Sequence, residues 1–188
     1  GAEESRMLAN FDDLSLVELL VEKGQDAINA LPKTIQKNKV AMAETIENNL
    51  RKAIIEKAPT NPMYYEKMSA LLDELIKMRK EETLEYEKYL QKIIAACRKV
   101  MKPETASEYP ASLNTSAKRA LFDNLGNNEA LANELDGKIM KTKKDGWRDN
   151  IQKTKAVKYA IAETLKRHRI EHPAPEYVLN IVRKQQDY

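Results

Sequence analysis

The sequence predicts an all-α fold: an elongated bundle of about seven helices in two clusters, joined by one long helix and without a sheet. Apolar residues recur at steps of three and four along most of the chain, which is the spacing of one helix face. No stretch alternates polar and apolar residues beside hairpin-turn residues, as strands would. All seven prolines fall between the periodic segments or at their first residue, and none lies inside a predicted helix.

Composition indicates a soluble globular chain from a reducing compartment. Its 188 residues (21.5 kDa) suffice for one large domain or two small ones, with 42% apolar residues, 32% charged residues and a mean hydropathy of -0.64. The single Cys97 excludes an intrachain disulfide, so we expect a cytoplasmic location. The longest apolar run, Ile93 to Cys97, has five residues against the roughly 20 of a membrane-spanning helix, so we expect no membrane contact.

Two helices are predicted before residue 60. The first covers 15–31, where Ser15 and Glu18 form a capping box and Pro32 interrupts the helix. The second covers 34–58 and ends before a proline. One stripe of this second helix collects apolar residues at steps of three, four or eight: Ile35, Ala43, Ile46, Leu50 and Ile54.

The third predicted helix is the longest and covers 62–101, about 60 Å at 1.5 Å per residue. Asn61 supplies its cap and Pro62 its first residue, and neither glycine nor proline follows until Pro103. Its centre, residues 79–82, holds four charged residues in a row. Because such a run leaves one helical turn without an apolar face, we expect that turn to be solvated and the helix to be a strut between the two clusters.

A linker is predicted at 102–114, which holds two prolines among small polar residues and shows no periodicity. It divides the chain into an N-terminal helical subdomain, 1–101, which includes the long connecting helix, and a C-terminal basic helical subdomain, 115–188. The chain begins with Gly1-Ala2 and not with Met, which suggests a piece of a longer protein.

Four helices are predicted in the C-terminal subdomain, over 115–125, 128–143, 147–168 and 175–188. Gly126 stops the first of these and Asn127 caps the second. Gly146 turns the chain into the third, Pro173 ends that region, and Pro175 opens the last helix. The third displays the apolar residues Ile151, Val157, Ile161 and Leu165.

Basic residues are concentrated in the second half of the chain. Residues 1–94 carry a net charge of -3 and residues 95–188 carry +6, while 138–169 holds 11 basic against three acidic side chains, net +8. We take 138–169 as a candidate contact surface for a protein partner or for DNA phosphates; the alternative is a solvated helix face. The candidate contact residues are Lys138, Lys141, Lys143, Lys144, Trp147, Arg148, Lys153, Lys155, Lys158, Lys166, Arg167 and Arg169.

Several other side chains have two interpretations. Trp147, the only tryptophan, suits either an anchor for a partner or packing at the start of a helix. Cys97 shares a stripe with apolar residues, which predicts a buried thiol. His168 and His172 flank a helix end, which favours capping over metal ligation. For the tyrosines at helical spacing we predict core positions with hydroxyl contacts, and not base stacking: Tyr64, Tyr65, Tyr86 and Tyr89.

Common catalytic and cofactor motifs are missing from the sequence. Neither a G-x-x-x-x-G-K-[ST] nor a G-x-G-x-x-G spacing occurs among its five glycines, which excludes nucleotide binding by those loops. The two histidines form no pair of the kind that binds zinc on a helix. We therefore expect no active site and no bound cofactor or metal in these residues.

Two blocks of sequence resemble the C-terminal helical region of the R subunits of type I restriction enzymes. The first block is Asn61-Pro62-Met63-Tyr64-Tyr65-Glu66-Lys67-Met68-Ser69-Ala70-Leu71-Leu72, continuing through Leu75-Ile76 and Arg79 to Tyr86-Glu87-Lys88-Tyr89-Leu90 and Ile93. The second block comprises Tyr109-Pro110, Arg119-Ala120-Leu121-Phe122-Asp123-Asn124-Leu125, Asn128-Glu129, and Gly146-Trp147-Arg148 through Lys158 and Ile161. The resemblance covers the chain from about residue 60 to its end and consists of packing residues.

This resemblance implies a non-catalytic part of a large motor protein. In that family the R subunit combines a nuclease domain, two RecA-like ATPase domains that translocate DNA, and helical C-terminal regions. The parent protein would be an ATP-dependent type I site-specific deoxyribonuclease, with ATP and Mg bound outside these residues. The implied role is docking of the motor onto the methyltransferase core of methylation and specificity subunits. Direct contact of residues 138–169 with duplex DNA is the alternative.

Overall fold

Helices make up all of the regular structure in the described part of the chain. The computed structural model describes residues 15–31 and 33–188, without the side chains of Ser15 and Ile35. Within these ranges there are α-helices and two short 3₁₀ helices but no strand, which confirms the predicted all-α class. The predicted capping box at Ser15 and the place of Ile35 on its stripe lie outside the described side chains.

Within the described residues the chain divides into two compact units, 15–31 and 33–57 with 65–107, and 58–64 with 108–188. Up to residue 107 the helices in chain order are α1 (Ser15–Lys23), α2 (Asp26–Asn29), α3 (Lys33–Lys37), α4 (Lys39–Lys57), the 3₁₀ helix Ala58–Thr60, α5 (Pro62–Lys80), α6 (Tyr86–Met101) and α7 (Pro103–Ala106). They are followed by α8 (Ser116–Asn124), α9 (Glu129–Thr142), the 3₁₀ helix Trp147–Asp149, α10 (Ile151–Arg167) and α11 (Pro175–Arg183).

Two of the predicted helices in the first unit are each broken into two. The helix expected over 15–31 stops at Gly24, which has φ +59° and lies so close to Arg98 that a Cβ would meet a guanidinium nitrogen at 3.2 Å. The helix expected over 34–58 restarts at Asn38, because its Oδ1 accepts a hydrogen bond from the amide of Ala41 at 3.1 Å. The described apolar stripe of α4 is buried as predicted: Ala43, Ile46, Leu50 and Ile54.

The prediction of a single helix over 62–101 is wrong, because the segment forms the two helices α5 and α6. Glu82 has φ +54°, and the amide of Thr83 donates to the carbonyl of Met78 at 3.1 Å, which is the hydrogen bond of a Schellman-type helix end. A residue at positive φ cannot continue a right-handed helix. With no apolar face to hold its last turn, α5 ends at the charged run, so no continuous strut exists.

Arg79 is largely buried, whereas the sequence predicts that it lies in a solvated turn. Its side chain is 14% exposed, and Nε and Nη2 donate to the two carboxylate oxygens of Glu47 at 2.7 and 2.8 Å. The hydroxyl of Tyr89 donates to Glu47 Oε2 at 2.7 Å. One carboxylate on α4 thus connects α5 with α6 inside the first unit. Burial, together with the hydrogen bond to this carboxylate, raises the pKa of Tyr89 far above its usual range.

The predicted core positions of the tyrosines and of the thiol are confirmed for the most part. Tyr64, Tyr65 and Tyr89 are buried, and the hydroxyl of Tyr65 donates to the carbonyl of Val100 at 3.2 Å. Tyr86 is half-buried and stacks on Tyr89 with ring centroids 6.4 Å apart. Cys97 is fully buried, and this burial raises the pKa of its thiol to about 12.

The second unit is built around one apolar core that α8, α9, α10 and α11 enclose. Its members include Leu121, Leu131, Leu135, Ile139, Trp147, Val157, Ile161, Leu165, Val178 and Val182. The helix predicted over 115–125 is present as α8, and Thr115 caps it, since its hydroxyl accepts from the amide of Lys118 at 3.2 Å. Pro175 opens α11, also as predicted.

Two helix starts in the second unit differ from the prediction. The cap of α9 is Asn128, whose Oδ1 accepts from the amide of Leu131 at 3.0 Å; Asn127 instead has φ +58° and belongs to the end of α8. The helix expected from residue 147 begins only at Ile151, because Asn150 caps it and the residues before it form a 3₁₀ turn. Among the described helices none is long and apolar enough to cross a membrane.

Candidate partner-binding surface

The basic residues of 138–169 fall into three groups within the second unit. Lys138, Lys141, Lys143 and Lys144 lie at the end of α9 and just after it, Lys166, Arg167 and Arg169 lie at the end of α10, and Arg148, Lys153, Lys155 and Lys158 lie between. Arg167, at the end of α10, contacts Glu134 in the first half of α9. The two helices are therefore antiparallel, and the first two groups lie at opposite ends of the helix pair instead of forming one patch.

These two end groups have a structural explanation. Cations in the last turn of a helix are stabilised by the helix dipole. In addition, Arg167 and His168 both contact the carboxylate of Glu134, which ties the end of α10 to α9. The hydrogen bonds from His168 and then Arg167 hold the pKa of Glu134 below its usual range. These contacts need no external partner.

Trp147 and Arg148 hold the end of the chain in place. Trp147 is 2% exposed, and its Nε1 donates to the carbonyl of Tyr188 at 3.3 Å. The guanidinium of Arg148 lies 4.7 Å above the indole ring and donates to the carbonyls of Arg183 and Gln185 at 2.8 and 2.5 Å. The geometry of Trp147 is that of a packing residue and not of an anchor for a partner. Its ring is not presented on the surface of the second unit.

One side of α10 carries exposed apolar and basic side chains together. At 100° per residue, Ile151, Lys155, Lys158, Tyr159 and Lys166 fall within an arc of about 100°, and we call these five residues the α10 outer face. Ile151 is 74% exposed and Tyr159 is 69% exposed. The buried side chains of α10 occupy a different arc of about 100°: Val157, Ile161, Thr164 and Leu165.

Ile151, which the sequence groups with Val157, Ile161 and Leu165 as the apolar residues of this helix, lies off their buried face. Six residues separate it from Val157, a rotation of about 240° beyond one full turn, so the two cannot lie on the same face. Tyr159 was not singled out at all. Both residues could have been found from the sequence by a strict count of the helical rotation, which places them among lysines.

The lysines of the α10 outer face differ in how their charge is compensated. Lys158 pairs with Glu176 of α11 at 2.7 Å, with both side chains about half exposed. In the described part of the chain, no acidic side chain pairs with Lys155 or Lys166. Lys153 lies off this face and donates to the carbonyl of Asp145 at 2.8 Å. Lys155, one turn from both Ile151 and Tyr159, thus leaves uncompensated positive charge beside these two exposed apolar side chains, and Lys166 adds another charge two turns beyond Tyr159.

An open cleft of about 310 Å³ adjoins the α10 outer face, between α10 and α11. Its lining includes Ile151, Lys155 and Lys158 from α10 and Glu176, Leu179 and Arg183 from α11. Leu179 is buried and forms an apolar floor. The cleft is at the small end of the range of ligand pockets and suits one or two side chains better than a cofactor.

A second cleft and the other titratable groups give weaker evidence for a binding site. A cleft of about 280 Å³ in the first unit is lined by Glu47, Arg79 and Arg51, but Glu47 and Arg79 pair with each other and Arg51 pairs with Asp73. Among residues 15–31 and 33–188, no three His, Cys, Asp or Glu side chains are placed to hold a metal ion. The α10 outer face with its cleft is therefore the candidate site, and its chemistry is that of binding an acidic surface.

Residues that carry the family resemblance meet in the second unit. Asn61 Nδ2 donates to Asp123 at 2.7 Å, and the hydroxyl of Tyr109 donates to the same carboxylate. Asn124 Nδ2 donates to Asn61 Oδ1 at 2.8 Å and its Oδ1 accepts from the hydroxyl of Tyr177 at 3.0 Å. Positions that are far apart in the sequence thus form one hydrogen-bond network within the second unit.

No protein-family model, no curated protein sequence and no solved structure matched this chain. The resemblance to the R subunits therefore stays a prediction from the sequence.

Proposed function

We propose that the chain is a non-catalytic C-terminal helical domain of a type I restriction enzyme R subunit, which docks the motor onto the methyltransferase core of methylation and specificity subunits. In this proposal, ATP-dependent DNA translocation and cleavage are carried out by other domains of the parent protein. The α10 outer face is the docking surface.

The observation that carries the proposal is the mixture of side chains on that face. Ile151 and Tyr159 are 74% and 69% exposed, and they lie among Lys155, Lys158 and Lys166. Exposed apolar groups beside charged ones are typical of protein interfaces, where a partner covers the apolar side chains and supplies opposite charge at the rim. An aromatic residue such as Tyr159 is a common anchor at such interfaces.

The two sequence blocks that resemble R subunits, and their order along the chain, support the choice of this family, in which we seek the partner. Their members occupy the hydrogen-bond network around Asn61 and Asn124 and the contacts of Trp147 and Arg148 with the chain end. Each of these contacts depends on a particular side chain at a particular place.

Co-elution tests the docking proposal. The 188-residue chain is mixed with the purified methyltransferase complex at low salt and separated by sizing chromatography. We expect co-elution for the native chain and its loss for Lys155→Glu combined with Lys166→Glu. Lys52→Glu combined with Lys92→Glu, the same charge change at exposed sites of the first unit, is the control. Absence of co-elution of the native chain would contradict direct docking.

Direct contact with duplex DNA is the second candidate, favoured by the uncompensated lysines of the α10 outer face. Each phosphate that a lysine neutralises makes the affinity fall more steeply with salt. If DNA is the ligand, affinity for duplex should fall strongly between about 50 and 200 mM salt, and Lys155→Gln with Lys166→Gln should reduce that slope. Loss of DNA binding by this variant with intact co-elution would favour the DNA contact over docking at this face.

A further inference from the structure

Resting on the proposed function, we infer that the cleft between α10 and α11 binds one short amphipathic helix of the protein partner. The helix places an apolar side chain against Ile151 and an acidic side chain, one helical turn away, against Lys155. The partner segment is thus both apolar and acidic, and its contacts are centred on the cleft.

The apolar half of the cleft consists of Ile151 and Leu179. Ile151 is the first residue of α10, where its side chain is 74% exposed, whereas Leu179 is only 2% exposed. Ile151 therefore forms a raised apolar edge beside an apolar floor. An apolar side chain that enters the cleft covers both, and this removes from water the most exposed large apolar residue of the second unit.

The basic side chains that line the cleft differ in their partners. Lys158 is compensated by Glu176, and Arg148 and Arg183 donate to backbone carbonyls. Lys155 has no acidic partner in the described part of the chain. It lies four residues after Ile151, about 6 Å along the helix axis. An apolar residue and an acidic residue at the same spacing on a partner helix match this pair.

The lining favours a protein over nucleic acid. Asp149 and Glu176 are part of the cleft, so the regularly spaced phosphates of a nucleic-acid strand would lie beside carboxylates as well as beside Lys155. A phosphate placed over Ile151 would lose hydration without gaining a hydrogen bond. A protein helix avoids both penalties, because it can turn an apolar side chain toward Ile151 and keep its acids near Lys155.

The test uses the full 188-residue chain and two probes. One probe is the purified methyltransferase complex, and the other is a fluorescent acidic peptide of about four helical turns with a leucine and a glutamate one turn apart. Affinities are measured by fluorescence anisotropy and by co-elution. We expect Ile151→Glu and Lys155→Glu each to weaken binding of the peptide at least about tenfold. Met140→Glu and Lys138→Glu, which make the same changes at exposed sites on α9, should change it less than about twofold.

The outcomes separate this inference from the docking proposal. Peptide binding that requires the cleft residues, without binding of the complex, contradicts docking and supports the cleft. Binding of the complex that is unchanged by the cleft variants contradicts the cleft and leaves docking in place. Equal effects of the α9 controls, saturable binding by neither probe, or a duplex that displaces the peptide from the cleft would each overturn the inference. Ile151→Ser replaces Ile151→Glu if circular dichroism shows that the glutamate variant has lost helix.

Discussion

Arg79 donates two hydrogen bonds to the buried carboxylate of Glu47, from Nε to Oε2 at 2.7 Å and from Nη2 to Oε1 at 2.8 Å. Glu47 is 4% exposed, so Arg79 and the hydroxyl of Tyr89 take the place of water as its hydrogen-bond partners. Carboxylate and guanidinium meet in a two-pronged geometry that a lysine cannot reproduce. Within the first unit this pair joins α4 to the last turn of α5.

Replacing Arg79 should strongly destabilise the chain. Arg79→Met leaves the carboxylate of Glu47 buried without its cation, and we expect the free energy of unfolding to fall by roughly 3–5 kcal/mol. Urea unfolding followed by circular dichroism measures it, with the exposed neighbour Lys80→Met as control. Glu47→Leu combined with Arg79→Met should lose less than the single change. A loss below about 1 kcal/mol for Arg79→Met would contradict the buried pair.

Asn124 should be a sensitive position of the second unit. It donates to Asn61 and to the carbonyl of Ala120, both at 2.8 Å, and accepts from Tyr177. Asn124→Ala leaves several of these groups unpaired, so unfolding should become easier by roughly 1–3 kcal/mol. The matched control is Asn180→Ala, an exposed asparagine on α11. Equal midpoints for the two variants in urea would show that the network contributes nothing.

Cys97 should be unreactive while the chain is folded. Burial raises the pKa of its thiol to about 12, so at pH 8 almost no thiolate is present and the sulfur is covered. A chromogenic disulfide reagent should react over hours in buffer and within minutes in denaturant. Reaction at the same rate in both conditions would place the thiol at the surface.

Glu134 should stabilise the folded chain slightly at neutral pH, and this contribution should be lost in acid. Its pKa is lowered by His168 and Arg167, so this contribution is present above the ordinary carboxyl pKa of about 4.3 and is lost as the pH falls through the lowered value. Because the groups are partly exposed, Glu134→Gln should cost under about 1 kcal/mol at neutral pH and nothing near pH 2. NMR titration of the carboxyl carbon measures the pKa directly, and it should rise in His168→Asn. An unchanged pKa in that variant would remove His168 as the principal cause.

Local signals in the sequence were sufficient for the fold class and for several boundaries. Thr115 and Pro175 act through their own side chains or ring, so a single residue identifies a helix start. The buried stripe of α4 follows from its spacing in the same way. The breaks at Asn38 and Glu82 were missed, because each depends on backbone conformations that compete closely with helix and are decided by neighbouring contacts.

The candidate site was predicted only in part. Counting charge along the chain located the basic segment, but charge does not tell which lysines are compensated. The partner of Lys158 is Glu176, and that of Arg167 is Glu134, both far away in the sequence. Burial of Trp147 likewise depends on its contact with the carbonyl of Tyr188. Only the folded unit shows that Lys155 is left uncompensated beside Ile151.

Hydroxyl-radical footprinting of the chain, free and mixed with the methyltransferase complex, tests most directly whether the α10 outer face binds a protein. We expect strong protection of Ile151 and Tyr159 in the mixture. Oxidation of Ile55 and Met140, which are 65% and 50% exposed on other helices, should stay unchanged. Undiminished oxidation of Ile151 and Tyr159 under conditions where the complex forms, or protection of Met140 in their place, would contradict it.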